Sequence, residues 1–99
     1  MNIRQQYMTL LEQLVAIPSV SALETNLPET ATIIANEFRK LGAQVIYDDT
    51  YFAPFVIAKF SSHNPNAKTL VIYNHYDVQP AEPLNLWQSN PWTLTAHDL

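Results

Sequence analysis

Apolar and polar positions alternate with two different periods along this chain. Over residues 2–17, Ile3, Tyr7, Leu10, Leu11, Leu14 and Val15 recur at helical spacing, with Asn2 placed to cap and Gln5 three residues later, which predicts an amphipathic helix. Pro18 disfavours helix at Ile17 and opens the polar stretch 19–26, where the chain must turn. A second helix is predicted to start near Pro28 and Glu29, to present Ala31, Ile34, Ala35, Phe38 and Leu41 on one face, and to stop at Gly42. Gly42 is the only glycine and stands where a left-handed residue is most often needed.

Beyond Gly42 the period shortens to that of strands, over 44–47, 54–60 and 69–74. Thr69-Leu70-Val71-Ile72-Tyr73 is apolar almost without alternation, as expected of a strand covered on both faces. Residues 78–92 hold Pro80, Pro83 and Pro91 and no glycine, which predicts a stiff extended connection held down by Leu84, Leu86, Trp87 and Trp92. Residues 92–96 alternate again, and the chain then stops at His97-Asp98-Leu99 without a turn or cap, an ending that reads as cut. The order predicts an α/β fold in which two helices pack on a mixed β-sheet. Chemistry is expected at the C-terminal end of the third strand, where open α/β sheets place their ligands.

Composition narrows the choice of function. At 99 residues, 47% apolar and 14% charged, the chain suits one packed unit at most. Its net charge of −4 and five scattered basic residues, Arg4, Arg39, Lys40, Lys59 and Lys68, form no stripe for a phosphate backbone, so nucleic acid is not an expected partner. There is no cysteine, so any metal must be held by imidazole and carboxylate. Met-Asn-Ile-Arg lacks the apolar core of a signal peptide and no apolar run could cross a bilayer, which makes a cytoplasmic protein without a membrane partner the expectation.

The segment that carries chemistry is Tyr73-Asn74-His75-Tyr76-Asp77-Val78-Gln79-Pro80, where an imidazole and a carboxylate stand two residues apart and share a face of extended backbone. An imidazole that binds zinc through one nitrogen usually gives its other N–H to a carboxylate or carbonyl. From spacing alone the plainer account leads: a partly buried histidine satisfied by backbone, and an aspartate opening a turn. His63 and His97 share no element with His75 and are expected to be solvated. Asp48-Asp49 reads as a turn, since neighbours in a strand point to opposite faces. Trp87 and Trp92 read as hydrophobic anchors ahead of substrate-stacking groups.

Three ordered landmarks change the balance: Leu14-Val15-Ala16-Ile17-Pro18-Ser19-Val20-Ser21, then residues 69–80, then Trp87 through Pro91-Trp92-Thr93-Leu94. Together they resemble the zinc-dependent aminoacylase, dipeptidase and carnosinase family, and Asp77-Val78-Gln79-Pro80 resembles its dipeptidase branch in particular. The resemblance implies the incomplete N-terminal part of a zinc-peptidase catalytic domain over 1–99. It implies a parent that hydrolyses dipeptides or N-acyl amino acids, with carboxypeptidase character, using two zinc ions, or manganese or cobalt in the same nitrogen and oxygen ligands. It makes His75 a metal ligand and Asp77 the catalytic-site aspartate that orients it. The family's bridging aspartate, its glutamate base and its further ligands have no counterpart here, so this chain alone is expected to be inactive. A cut domain would also expose a sheet edge through which copies could associate. The competing readings are a non-catalytic interaction module retaining a peptidase-domain fold, and an enzyme using Ser19 or Ser21 as nucleophile, for which no Gly-x-Ser-x-Gly elbow is present.

Overall fold

The first helix, α1, spans Ile3–Val15 and opens on the expected capping box: the Gln5 N–H donates to the Asn2 side chain at 2.9 Å and the Asn2 N–H to the Gln5 side chain at 3.0 Å. The structure is a computed structural model that describes residues 1–97; Asp98 and Leu99, on which the expectation of an abrupt ending falls, lie outside the described residues. The apolar stripe of α1 is only partly covered. Leu10, Leu11, Leu14 and Val15 are half-buried, whereas Ile3 and Tyr7 are exposed.

The second helix, α2, spans Leu27–Lys40 and buries Leu27, Thr30, Ala31 and Ala35, positions three, four and eight apart on one face. Two strands follow, β1 (Gln44–Asp48) and β2 (Phe55–Lys59), paired antiparallel with Ile46 opposite Ile57. Helix α2 lies against both strands, and Phe38 meets Phe60 edge to face at a centroid distance of 6.3 Å. The α/β class therefore holds, but the sheet is two-stranded and antiparallel in place of the mixed sheet expected, and it is α2 that packs on it. The core consists of Ile17, Val20, Leu27, Ala31 and Ala35 with the buried hydroxyls of Ser19 and Thr30. It joins the irregular segment after α1 to the inner face of α2.

Gly42 ends α2 at φ +90°, and the Ala43 N–H donates back to the Phe38 carbonyl at 3.1 Å. A Cβ added there would meet nothing within 4 Å, so only the left-handed backbone opposes a side chain. Gly42→Ala is expected to lower stability by about 1–2 kcal/mol, read from urea unfolding; Gly42→Asn should lose less, because asparagine tolerates this conformation better.

Three expectations are corrected. Residues 69–74 form no strand, and Leu70, Val71, Ile72 and Tyr73 are each at least 75% exposed. Their apolar run asks for neighbours on both faces and both edges, and among the described residues nothing supplies them. Residues 92–96 likewise form no strand, having no partner there. Along 78–92, Leu84, Leu86 and Trp87 are exposed, not anchors; the segment is instead fixed by backbone turns and by the Trp87 indole N–H, which donates to the Ala81 carbonyl at 2.8 Å. The outer face of the sheet, with Ile46, Phe55 and Ile57, is also exposed.

Candidate metal centre

The site begins with a rigid turn after α1. The Pro18 carbonyl accepts the Thr25 hydroxyl at 3.1 Å and the Asn26 amide at 3.0 Å, while the Thr25 N–H donates to the Val20 carbonyl at 3.2 Å. Glu24 and Asn26 take left-handed backbone, φ 53° and 58°, which folds 18–26 back on itself. Val20 and Ser19 are buried within this turn.

Against it lies the segment that carries His75. Val20 and Val78 form a single parallel bridge, the Val78 N–H donates to the Ser19 carbonyl at 2.9 Å, and the Ser19 hydroxyl donates to the Tyr76 carbonyl at 3.1 Å. From the other side the Tyr76 hydroxyl donates to the Pro54 carbonyl at 2.7 Å, and burial pushes that phenol above its ordinary pKa. Residues 76–78 are thus clamped between the 17–21 turn and the entry to β2. Chain segments over fifty positions apart are brought together by a single bridge, one main-chain bond and the Ser19 hydroxyl, not by a sheet.

His75 and Asp77 meet as their spacing suggests. The His75 Nδ1 lies 2.9 Å from Asp77 Oδ1 and 3.1 Å from the Asp77 carbonyl oxygen. A carbonyl and a carboxylate can only accept, so Nδ1 carries a proton, and in the neutral ring the lone pair is then on Nε2. The His75 side chain is 74% exposed. The other Asp77 oxygen, Oδ2, accepts the Ser21 hydroxyl at 2.6 Å. Ser21 first, and His75 after it, hold the Asp77 carboxyl below its ordinary pKa. Its bonded carboxylate form is therefore retained below the usual carboxylate range and is lost only as pH falls through the lowered value.

The serine-nucleophile reading is not supported by this geometry. The carboxylate sits between hydroxyl and imidazole, so His75 cannot take the Ser21 proton, and the Ser19 hydroxyl is engaged with a carbonyl. Asp48 is the last residue of β1, and its side chain opens the turn by accepting the Thr50 N–H at 3.0 Å; the Thr50 hydroxyl first, and that amide after it, lower its pKa. His63 and His97 are exposed, and among the described residues no group of three histidine, cysteine or acidic side chains is placed to hold a metal ion. The sequence offered Ser19 and Ser21 only as alternative nucleophiles, not as partners that hold Tyr76 and Asp77, and it did not single out Tyr76. The available signal was the alternation Ser19-Val20-Ser21, polar groups flanking a core valine in a segment too short for a strand.

The donor set suits a metal-binding imidazole in one respect and is limited in another: Nε2 is free, its partner nitrogen is fixed by a carboxylate, and one ligand falls short of the four that zinc usually takes. No protein-family model matches the chain. It is similar to the Cys-Gly metallodipeptidase of Schizosaccharomyces pombe, 37% identical over 105 residues that cover 93% of this chain and 22% of that protein. It is similar also to the Cys-Gly metallodipeptidase of Candida albicans, 30% identical over 94% of this chain and 22% of the relative. A third likeness is to the Beta-Ala-His dipeptidase of Mus musculus, 30% identical over 96% of this chain and again 22% of the relative. The chain spans 22% of the length of each of these curated relatives.

Proposed function

We propose, from the premise that this chain is a fragment of the metallodipeptidase family, that it contributes one metal-ligating arm to a site that hydrolyses dipeptides. In this reading His75 ligates through Nε2 and Asp77 sets the tautomer and the direction of the ring. The observation that carries the reading is that His75 Nδ1 lies within hydrogen-bond distance of two acceptors on a side chain that is 74% exposed, which leaves Nε2 as the nitrogen for a metal. A bound divalent ion would supply the chemistry, lowering the pKa of a water and polarising the scissile carbonyl. Zinc suits the nitrogen and oxygen donors, and manganese or cobalt would accept them too.

The substrates we propose are dipeptides of the Cys-Gly or Beta-Ala-His kind, after the names of the relatives, with N-acyl amino acids as the neighbouring class. The reading further assigns the chain to the N-terminal part of a catalytic domain. The described residues hold one ligand, so the general base and the other ligands would come from elsewhere in the family's polypeptide. Among the described residues no helix is long and apolar enough to cross a membrane.

The test is a hydrolysis assay of Cys-Gly and β-Ala-His with the chain alone, in zinc, manganese or cobalt. No turnover is expected with any of the three ions. Turnover that disappears in His75→Ala would show that a whole site exists within these residues and would overturn the single-arm reading.

A further inference from the structure

We infer that Ser21 is a positioning residue for His75, acting through Asp77: the Ser21 hydroxyl locks the carboxylate that locks the imidazole. For its consequence at a metal this rests on the function proposed above, whereas the lock itself can be observed without metal. Asp77 uses one oxygen for each neighbour, Oδ1 for His75 Nδ1 at 2.9 Å and Oδ2 for Ser21 Oγ at 2.6 Å. An O–H···O bond of that length to a carboxylate lies in the charge-assisted range, the stronger class of hydrogen bond.

Placement of Ser21 is what gives the contact its leverage. Ser21 begins a 3₁₀ turn (Ser21–Leu23) just after Val20, whose backbone bridges Val78, and Ser19 bonds residues 76 and 78 by its hydroxyl and its carbonyl. The Ser21 Cα is therefore carried on the same frame as the Asp77 backbone, and its hydroxyl reaches Oδ2 from a fixed origin. Asp77 by contrast has a side chain 41% exposed, open to water on one side. With Ser21 absent, water would compete for Oδ2 and the carboxylate could turn about its own bonds, leaving Nδ1 with the Asp77 carbonyl alone at 3.1 Å. A ring held by one longer bond exchanges tautomers more readily, and the Nδ1–H form that frees Nε2 loses its preference.

The experiment uses the metal-free chain labelled with nitrogen-15, at about pH 8.5, above the ordinary histidine range. Ring-nitrogen shifts give the ratio of Nδ1–H to Nε2–H at each histidine, with exposed His63 as the internal reference. Wild-type His75 is expected in the Nδ1–H form. In Ser21→Ala the ratio at His75 falls about fivefold, the factor that corresponds to the net strength of one ordinary hydrogen bond, while His63 does not move. Ser21→Thr keeps the hydroxyl and holds the wild-type ratio. Ser21→Cys, close in shape but a weak donor, gives the same fall as alanine and serves in its place should alanine not fold. An unchanged ratio in the alanine and cysteine variants, or a fall in the threonine variant equal to theirs, overturns the inference. Zinc takes no part, so a His75 that ignores zinc would sink the metal reading and leave this result standing.

Discussion

Leu27→Ala is expected to cost about 2–5 kcal/mol, the usual loss for a leucine truncated in a core that cannot close over the gap. Leu27 is fully buried at the first turn of α2 and is among the largest side chains in a core of few members. Small chains bury a lower fraction of their surface and hold correspondingly narrow margins, so a loss of this size is a large share of a total near the low end of about 5–15 kcal/mol. Urea unfolding is the measurement. With slopes of about 1–3 kcal/mol per molar urea, the midpoint should fall by roughly 1 M or more. Leu41→Ala, at a 68% exposed leucine just past α2, serves as the control and should change stability by no more than about 0.5 kcal/mol. Equal shifts for the two would mean that the buried face of α2 is not the core. The damage should reach the site, since Leu27 follows Thr25 and Asn26, whose side chains hold the Pro18 carbonyl.

At the site itself, Asp77→Ala is expected to weaken the zinc response of His75 by about 10–100-fold, the usual effect of removing the carboxylate that orients a ligating histidine. His75 would keep Nε2 and its exposure but lose the partner that fixes the proton on Nδ1. Asp77→Asn separates charge from shape, because the amide oxygen can still accept from Nδ1–H while the negative charge is gone. It should fall between alanine and wild type. Nitrogen-15 spectra taken through a zinc titration read both variants, and a response equal to wild type in Asp77→Ala would remove the orienting role.

Local rules were read well from the sequence. Asn2 and Gln5 name the start of α1, Gly42 names the end of α2, and the 44–59 alternation gives the hairpin, because each depends on neighbours a few residues away. Residues 70–73 defeated the same reasoning. An unbroken apolar run specifies an environment covered on both faces, yet a strand exists only when another chain segment pairs with it, and among the described residues none does. Three of the four expected anchors failed for the same reason: among the described residues no layer covers Leu84, Leu86 and Trp87, which stay exposed, while Trp92 is half-buried. For the site, the spacing of His75 and Asp77 correctly placed them within reach of each other, since two residues apart in extended backbone is a local fact. Ser21 lies 56 positions from Asp77, and that contact rests on the bridge between Val20 and Val78, which no periodicity announces.

The most direct test of the central claim, that His75 is a metal ligand through a free Nε2, is a zinc titration of this chain followed by nitrogen-15 spectra of its three histidines, with calorimetry alongside. Weak, saturable binding is expected, in which Nε2 of His75 shifts first and furthest, Nδ1 keeps its proton, and the heat disappears in His75→Ala. A response spread equally over His63, His75 and His97, or shifts at Nδ1 of His75 in place of Nε2, would contradict it.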